Sequence, residues 1–169
     1  MKTRGGGFNI NIVFAPAQID DAEKIIEIIK AAFAEDIEMY GSQSLPMLAH
    51  LNVKRIQYAI NNHIYYNILD GHLIIGGIHV VKQNCFRFYL DKLYLYPKYQ
   101  NKGIGTKAME FIERQYPQAT LWTLHTSSQN RKNQYFYEKI GYQRVRESQV
   151  SDRLRLIEYQ KIKSPDNHY

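Results

Sequence analysis

Two patterns of hydrophobic and polar positions alternate along the first half of the chain. In the strand-like pattern every second residue is apolar, as in Asn9 to Ala15, and Pro16 ends that run. In the helix-like pattern apolar residues recur every three or four positions, as they do after the acidic pair Asp20-Asp21. These patterns predict, in order, a strand over 9–15, a helix over 20–38, a turn over 41–44 and a second helix over 45–61.

The second half of the chain is predicted to consist mainly of strands. Asp70-Gly71 is a typical two-residue turn of a hairpin. The pair Gly76-Gly77 indicates either a bulge or a close approach of another backbone. The predicted elements are strands over 63–69, 72–82 and 86–95, a helix over 107–116, a strand over 119–125, a helix over 130–140, and a hairpin of strands over 142–147 and 153–162.

The order of these elements, βααβββαβαββ, implies a mixed α/β sheet. The early strands follow one another through short turns, so we expect them to be antiparallel. The strand, helix and strand over 86–125 form one crossover, which implies one parallel pair. We expect a single domain over 1–169, with loose tails at 1–7 and 164–169.

Composition narrows the class of protein. Of the 169 residues, 44% are hydrophobic and 22% are charged, which is ordinary for a soluble domain. No run approaches the roughly 20 apolar residues of a membrane helix, and no secretion signal is evident. The single cysteine, Cys85, excludes an internal disulfide and fits a reducing cytoplasm. The histidines lack metal-ligand spacing, so we expect no metal site.

The net charge of +6 does not by itself specify a partner. A nucleic-acid-binding module would usually concentrate its basic residues on one face, whereas the lysines and arginines here are scattered. A mild basic excess is sufficient for a ligand that carries several phosphates. We therefore do not expect nucleic acid as a partner.

The segment from Gln100 to Thr106 carries the clearest chemical signal. It follows the apolar run 88–96, contains Gly103 and Gly105, and precedes the helix over 107–116. A strand that turns through two glycines into a helix directs several backbone N–H groups at one point, where the helix dipole also favours an anion. The segment, which we call the glycine turn (100–106), predicts a phosphate-binding site.

Two other phosphate-binding motifs also use glycines of this kind. A P-loop needs glycine immediately before its lysine, but Thr106 precedes Lys107. The dinucleotide-binding fingerprint G-x-G-x-x-A matches 103–108, yet it requires an acid at the end of the next strand. That strand ends in 124–128, Leu-His-Thr-Ser-Ser, without an acid.

A second motif at a suitable distance distinguishes between these readings. The spacing Gln100-x-x-Gly103-x-Gly105 resembles the pyrophosphate-binding motif of the GNAT N-acetyltransferase superfamily. Residues 130–142, Asn-Arg-Lys-Asn-Gln-Tyr-Phe-Tyr-Glu-Lys-Ile-Gly-Tyr, resemble a further GNAT signature and depart from it at Asn133, where alanine is usual. The resemblance implies a GNAT acyl-CoA N-acyltransferase fold, a mostly antiparallel sheet with one parallel, splayed strand pair and helices on both faces.

The resemblance also implies a ligand, a reaction and the residues that perform it. Acetyl-coenzyme A would donate its acetyl group to a primary amine, with Tyr137 as the general acid for the leaving thiolate. The N–H groups of 101–106 would bind the pyrophosphate, and the main chain around 93–95 would bind the pantetheine arm. The expected coenzyme-binding residues are Leu93, Tyr94, Leu95, Gln100, Asn101, Lys102, Gly103, Ile104, Gly105, Thr106, Asn130, Asn133 and Tyr137.

The base and the acceptor are less clearly marked. Asp91 and Tyr89 alternate on the strand beside the expected thioester, and Asp91 is the better base, although a mid-strand acid also commonly pairs with lysine or arginine. The acids of 35–38 either attract a cationic amine or form a solvated helix end. The residues do not identify the amine acceptor, and a homodimer is one of the partners that they leave open. An alternative function is a GNAT-like domain that binds coenzyme A as a sensor without turnover.

Overall fold

The computed structural model describes residues 9–42 and 46–164, and for residues 46 and 47 the backbone alone. The strands are β1 (Ile12–Pro16), β2 (Ile64–Asp70), β3 (Leu73–Lys82), β4 (Arg87–Leu95), β5 (Leu121–Ser127), β6 (Gln143–Ser151) and β7 (Leu154–Ile162). The helices are α1 (Ala22–Ala32), α2 (Ala34–Tyr40), α3 (Pro46–Ala49), α4 (Val53–Asn62), α5 (Ile104–Gln115) and α6 (Arg131–Lys139). None of the helices in these ranges is long and apolar enough to cross a membrane.

The seven strands form one sheet in the order β1-β2-β3-β4-β5-β7-β6. Neighbouring strands are antiparallel except for β4 and β5, which are parallel and are connected through α5. This arrangement confirms the predicted mixed sheet with a single parallel pair.

Helices cover both faces of the sheet, as predicted. On one face α1 and α4 pack against side chains of β2 and β4, including the buried residues Ile25, Ile28, Ile29, Ile56, Tyr65 and Tyr94. On the other face α5 and α6 pack against β3, β4 and β5, including the buried residues Met109, Ile112, Tyr137, Val80, Phe88, Leu90, Trp122 and Leu124. Each fully buried aliphatic side chain stabilises the fold by about 1.5–3 kcal/mol, so packing of the helices on both faces stabilises the sheet.

The parallel strands part from one another soon after they meet. β4 and β5 pair only from Arg87 opposite Leu121 to Leu90 opposite Leu124. Beyond Leu90, β4 continues to pair with β3 on its other edge. Its edge toward β5 is therefore open from residue 91 onward, which agrees with the splayed pair that the family resemblance implies.

A β-bulge lies where the strands part. His79 of β3 is opposite Lys92, and Val80 is opposite Leu90, so Asp91 is the extra residue of β4. A bulge of this kind bends its strand and changes the direction of nearby side chains. The bulge places Asp91 at the opening between β4 and β5.

The helices of the first half differ from the prediction. The helix expected over 20–38 is interrupted at Phe33, whose φ of −102° and ψ of 6° end α1 before α2 begins. The helix expected over 45–61 is α3 and α4, because Asn52 is extended and caps α4 by accepting a hydrogen bond from the Arg55 N–H (3.0 Å). Residues 43–45 of the predicted turn and helix, and the tails at 1–7 and 165–169, lie outside the described residues.

The hairpins follow the predicted pattern with small shifts. Asp70 still pairs with Leu73, so the residues of the first turn are Gly71 and His72 rather than Asp70 and Gly71. Both interpretations of Gly76-Gly77 are correct: a bulge lies beside them, and a Cβ on Gly76 would be 2.2 Å from the carbonyl oxygen of Tyr94. The strand predicted over 142–147 extends to Ser151, where it pairs with Leu154.

Candidate active site

A cleft of about 270 Å³ opens where β4 and β5 part. Its walls come from α2, β4, β5, the start of α6 and the start of β7. Of the predicted site residues, those that line it are Asp91, Leu93, Asn130, Asn133 and Tyr137. Two larger hollows on the described surface contain none of the predicted site residues, so this smaller cleft is the candidate site.

The glycine turn has the backbone geometry of an anion site. Asn101 and Gly103 adopt left-handed φ values of 59° and 77°, and Gly103 is the N-cap residue immediately before α5. The Lys107 N–H donates to the Gly103 carbonyl (3.1 Å), so the N–H groups of 104–106 precede the first helical bond and point out of the helix end. The positive end of the helix dipole lies at the same place. Lys102 is exposed beside it.

Gly105 also has a packing role. A Cβ at this position would be 3.3 Å from Cζ of Phe136 on α6 and 3.9 Å from Cδ2 of Leu93 on β4. The absence of a side chain lets α5 lie close to α6 and to β4. This contact brings the glycine turn next to the cleft.

Gln100 ties three elements together. Its Nε2 donates to the carbonyl of Leu95 at the end of β4 (3.1 Å), and its Oε1 accepts from Nζ of Lys132 on α6 (2.8 Å). The ammonium group of Lys132 therefore lies beside the glycine turn. Sequence reasoning missed Lys132, although its place two residues after Asn130 in the second motif was a usable signal.

The three predicted residues of β4 differ in whether the side chain or only the main chain could reach a ligand in the cleft. Leu93 lines the cleft, whereas the ring of Tyr94 is buried on the opposite face, with its hydroxyl 3.0 Å from that of Tyr65. Leu95 is buried against α5, and its carbonyl is already bonded to Gln100. At Tyr94 and Leu95, therefore, the groups that could reach a ligand belong to the main chain.

Asn130 joins the start of α6 to α2. Its Oδ1 accepts from the Asn133 N–H (2.9 Å), which caps α6, and its Nδ2 donates to Oδ2 of Asp36 (3.2 Å). Burial raises the pKa of Asp36. Asn133 in turn donates weakly to the Thr126 hydroxyl on β5 (3.5 Å). These bonds hold α2 over the cleft.

Tyr137 lines the cleft from α6 with a ring that is 8% exposed. Burial, with a smaller contribution from Tyr89, raises the pKa of Tyr137 above its ordinary value. Its hydroxyl has no hydrogen-bond partner among residues 9–42 and 46–164. Tyr137 is therefore a phenol that keeps its proton at neutral pH and is available to a ligand.

Asp91 is ion-paired, which is one of the two alternatives that the sequence left open, and its role as a base stays a prediction. It lines the cleft, and it also pairs with the ammonium of Lys92 and accepts from Nδ1 of His79 (3.0 Å). Burial alone would raise the pKa of Asp91, but the bonds to His79 and Lys92 hold it well below its usual range. Asp91 is thus a carboxylate at neutral pH and retains a proton poorly.

Tyr89 lies on the same strand and faces β5. Its hydroxyl is 3.3 Å from Nδ1 of His125, and burial followed by repulsion from Asp91 raises its pKa to about 12.

Within the described ranges no group of three or more His, Cys, Asp or Glu residues could hold a metal ion.

Solved structures share this fold. The coenzyme A complex of the PaiA N-acetyltransferase from Thermoplasma acidophilum matches with a TM-score of 0.75 and 18% identity, over 91% of this chain and 100% of that one. The protein yncA from Salmonella typhimurium, solved with its cofactor acetyl-CoA, matches with a TM-score of 0.69 and 12% identity, over 92% of this chain and 98% of that one. At these identities the likeness establishes the fold alone.

Sequence comparison extends the match to the family. YrkN of Bacillus subtilis (strain 168), an uncharacterized protein, is 28% identical over 145 residues, which are 84% of this chain and 77% of YrkN. The model of the acetyltransferase (GNAT) family matches residues 23–142, a range that contains the cleft-lining part of α2, the glycine turn and α6. The chain belongs to the GNAT family of acetyltransferases.

Proposed function

We propose that the protein is an N-acetyltransferase that moves the acetyl group of acetyl-coenzyme A to a primary amine by direct attack. The observation that carries the proposal is Tyr137, whose buried ring lines the cleft and whose hydroxyl is not engaged by the described part of the chain. A protonated phenol in that position suits the protonation of a departing thiolate.

The residues around the cleft suit the parts of the coenzyme in order. The N–H groups of 104–106 and the cations of Lys102 and Lys132 would hold the pyrophosphate. The open edge of β4 beyond Leu90 would pair with the pantetheine amides in the manner of an added strand. Asn130 would contact the same arm from the start of α6.

Acetyl-coenzyme A supplies the thioester that the amine attacks. N–H groups of β4 on its open edge would donate to the carbonyl oxygen as negative charge develops there. The Tyr137 hydroxyl would give its proton to the thiolate, and the pKa of Tyr137 keeps it in the protonated form that this step needs.

The acceptor would enter from the side of α2, where two acids lie on the walls of the cleft. Asp36 and Asp91 both line it and favour a cationic amine. Protein N-termini, polyamines, aminoglycosides, amino acids and small metabolites all carry such an amine.

A second candidate function is coenzyme A binding without turnover, as in a sensor. The low pKa of Asp91 favours it, because the residue placed best to take a proton from the amine does not retain one. An N-acetyltransferase would need a further proton acceptor behind Asp91.

An assay of thiol release from acetyl-coenzyme A against a panel of amines tests the proposal. Tyr137→Phe should lower kcat by about 10²-fold, since it removes a general acid, while coenzyme A binding measured by calorimetry is retained. Tyr135→Phe on the same helix is the matched control, because Tyr135 is 69% exposed, and it should behave as the wild type. Tight coenzyme A binding without thiol release for any amine would favour the sensor.

A further inference from the structure

Three titratable side chains form a continuous hydrogen-bonded row behind the cleft. Oδ2 of Asp91 is 3.0 Å from Nδ1 of His79, and Nε2 of His79 is 2.8 Å from Nδ1 of His63. The row starts at the bulge of β4, crosses β3, and ends at the residue between α4 and β2. It connects the cleft with the C-terminal end of α4.

Packing fixes the two rings in this row. His79 is 6% exposed, and its ring lies nearly parallel to those of His63 and Tyr65, each with a centroid separation of 5.0 Å. Tyr58 of α4 lies edge-on against His63 at 5.7 Å and is 61% exposed, so this end of the row reaches the surface. Both ring nitrogens of the buried His79 are thus bonded to other titratable groups.

The proposed N-acetyltransferase reaction, on which this inference rests, has a proton to dispose of. An ammonium acceptor, R–NH₃⁺, and a thioester give an amide, a thiol and one free proton. Because His79 and Lys92 hold Asp91 as a carboxylate, Asp91 can pass this proton on but cannot keep it. The imidazole of His79, whose Nδ1 is 3.0 Å from Oδ2 of Asp91, is the next group that can accept it.

We propose that His79 and His63 form the path by which the proton of the acceptor's ammonium leaves the cleft, with Asp91 as its entrance. An N–H bond of the ammonium breaks and an O–H bond forms at Asp91. The transfer begins from the tautomer in which both histidines carry their proton on Nε2. The proton on Asp91 moves to the bare Nδ1 of His79, which restores the carboxylate, while the Nε2 proton of His79 passes to Nδ1 of His63 and the Nε2 proton of His63 goes to water. Both rings are then protonated on Nδ1, the tautomer in which the Nδ1–H of His79 donates to Asp91. After product release the reverse relay, from water at His63 to water in the open cleft at Asp91, returns both rings to the Nε2 tautomer.

The surroundings of the rings suit a path rather than a proton store. The titratable and charged groups that face them are Tyr58 on α4, Tyr65 on β2, and Asp91 and Lys92 on β4. Partial burial, followed by repulsion from His79, lowers the pKa of His63, so His63 is neutral at neutral pH and releases a proton readily. Asp91 is the member that touches the acceptor, and the histidines act through it.

The dependence of kcat/KM on pH tests the path. His79→Asn should lower kcat/KM about 10²-fold near pH 7, since a proton acceptor is lost. The defect should shrink toward about pH 10, because an alkylamine then loses its proton without help. His63→Asn should show the same trend with a smaller loss. His72→Asn, at the exposed turn between β2 and β3, is the matched control and should be unchanged.

The alternatives give different results. A purely structural role for the row predicts a loss that is equal at all pH values, and that result, or no loss at all, would overturn the path. Coenzyme A affinity reports on the folding of each variant, and His63→Asn serves as the test if His79→Asn fails to bind. Absence of thiol release from the wild-type protein with every amine would overturn the proposed function as well.

Discussion

The pKa of Tyr137 is raised because aromatic residues of α6 and the C-terminal strands bury its ring. Its ring packs against those of Phe136, Tyr142 and Tyr159, at centroid separations of 5.0, 5.8 and 6.5 Å. This aromatic cluster withdraws the phenol from water and so disfavours the phenolate. The same burial that makes Tyr137 a core residue therefore keeps its phenol protonated beyond the usual pH range.

The raised pKa of Tyr137 predicts how activity depends on pH. A general acid works only while protonated, so its contribution is lost as pH rises through its pKa, and here that pKa lies above the ordinary tyrosine value of about 10. We expect kcat to show no descending limb up to about pH 10. A descending limb near pH 9 that disappears in Tyr137→Phe would contradict this assignment.

At the scale of elements, local patterns were sufficient for most of the fold. Periodicity and turn residues predicted every strand and the helices α5 and α6, because their apolar positions and end signals lie within one element. The interruptions of the two predicted helices at Phe33 and Asn52 were missed, because the helical spacing of apolar residues continues across both positions. The bulge at Asp91 was also missed, because it depends on how β4 aligns with β3 rather than on β4 itself.

The close approach at Gly76 gives a prediction about the sheet. A Cβ there would lie 2.2 Å from the carbonyl oxygen of Tyr94, and a backbone atom in the middle of a sheet cannot move aside. Gly76→Ala should therefore reduce the free energy of unfolding by about 3 kcal/mol or more, as measured by urea denaturation.

Gly103→Ala is the comparison for that prediction. Nothing lies within 4 Å of a Cβ at Gly103, and only its φ of 77° opposes a side chain, so the loss should be about 1–2 kcal/mol. Equal losses for the two variants would show that steric contact with β4 does not decide the conformation at Gly76.

At the scale of the whole molecule, the candidate site is made of contacts between residues far apart in sequence. Asn130 bonds to Asp36 across 94 positions, and Lys132 bonds to Gln100 across 32. The motifs predicted the glycine turn and the α6 residues because each motif is local. The partners of Asp91 could not be predicted, because no pattern within β4 indicates that His79 and His63 lie behind it.

The central claim is transfer of an acetyl group from acetyl-coenzyme A to an amine. Its most direct measurement is mass spectrometry of the amine panel after incubation with the protein and acetyl-coenzyme A. The account predicts one acetylated amine for each coenzyme A thiol released, with little of either product from Tyr137→Phe. Tight coenzyme A binding with no acetylated amine, or thiol release without any acetylated product, would contradict it.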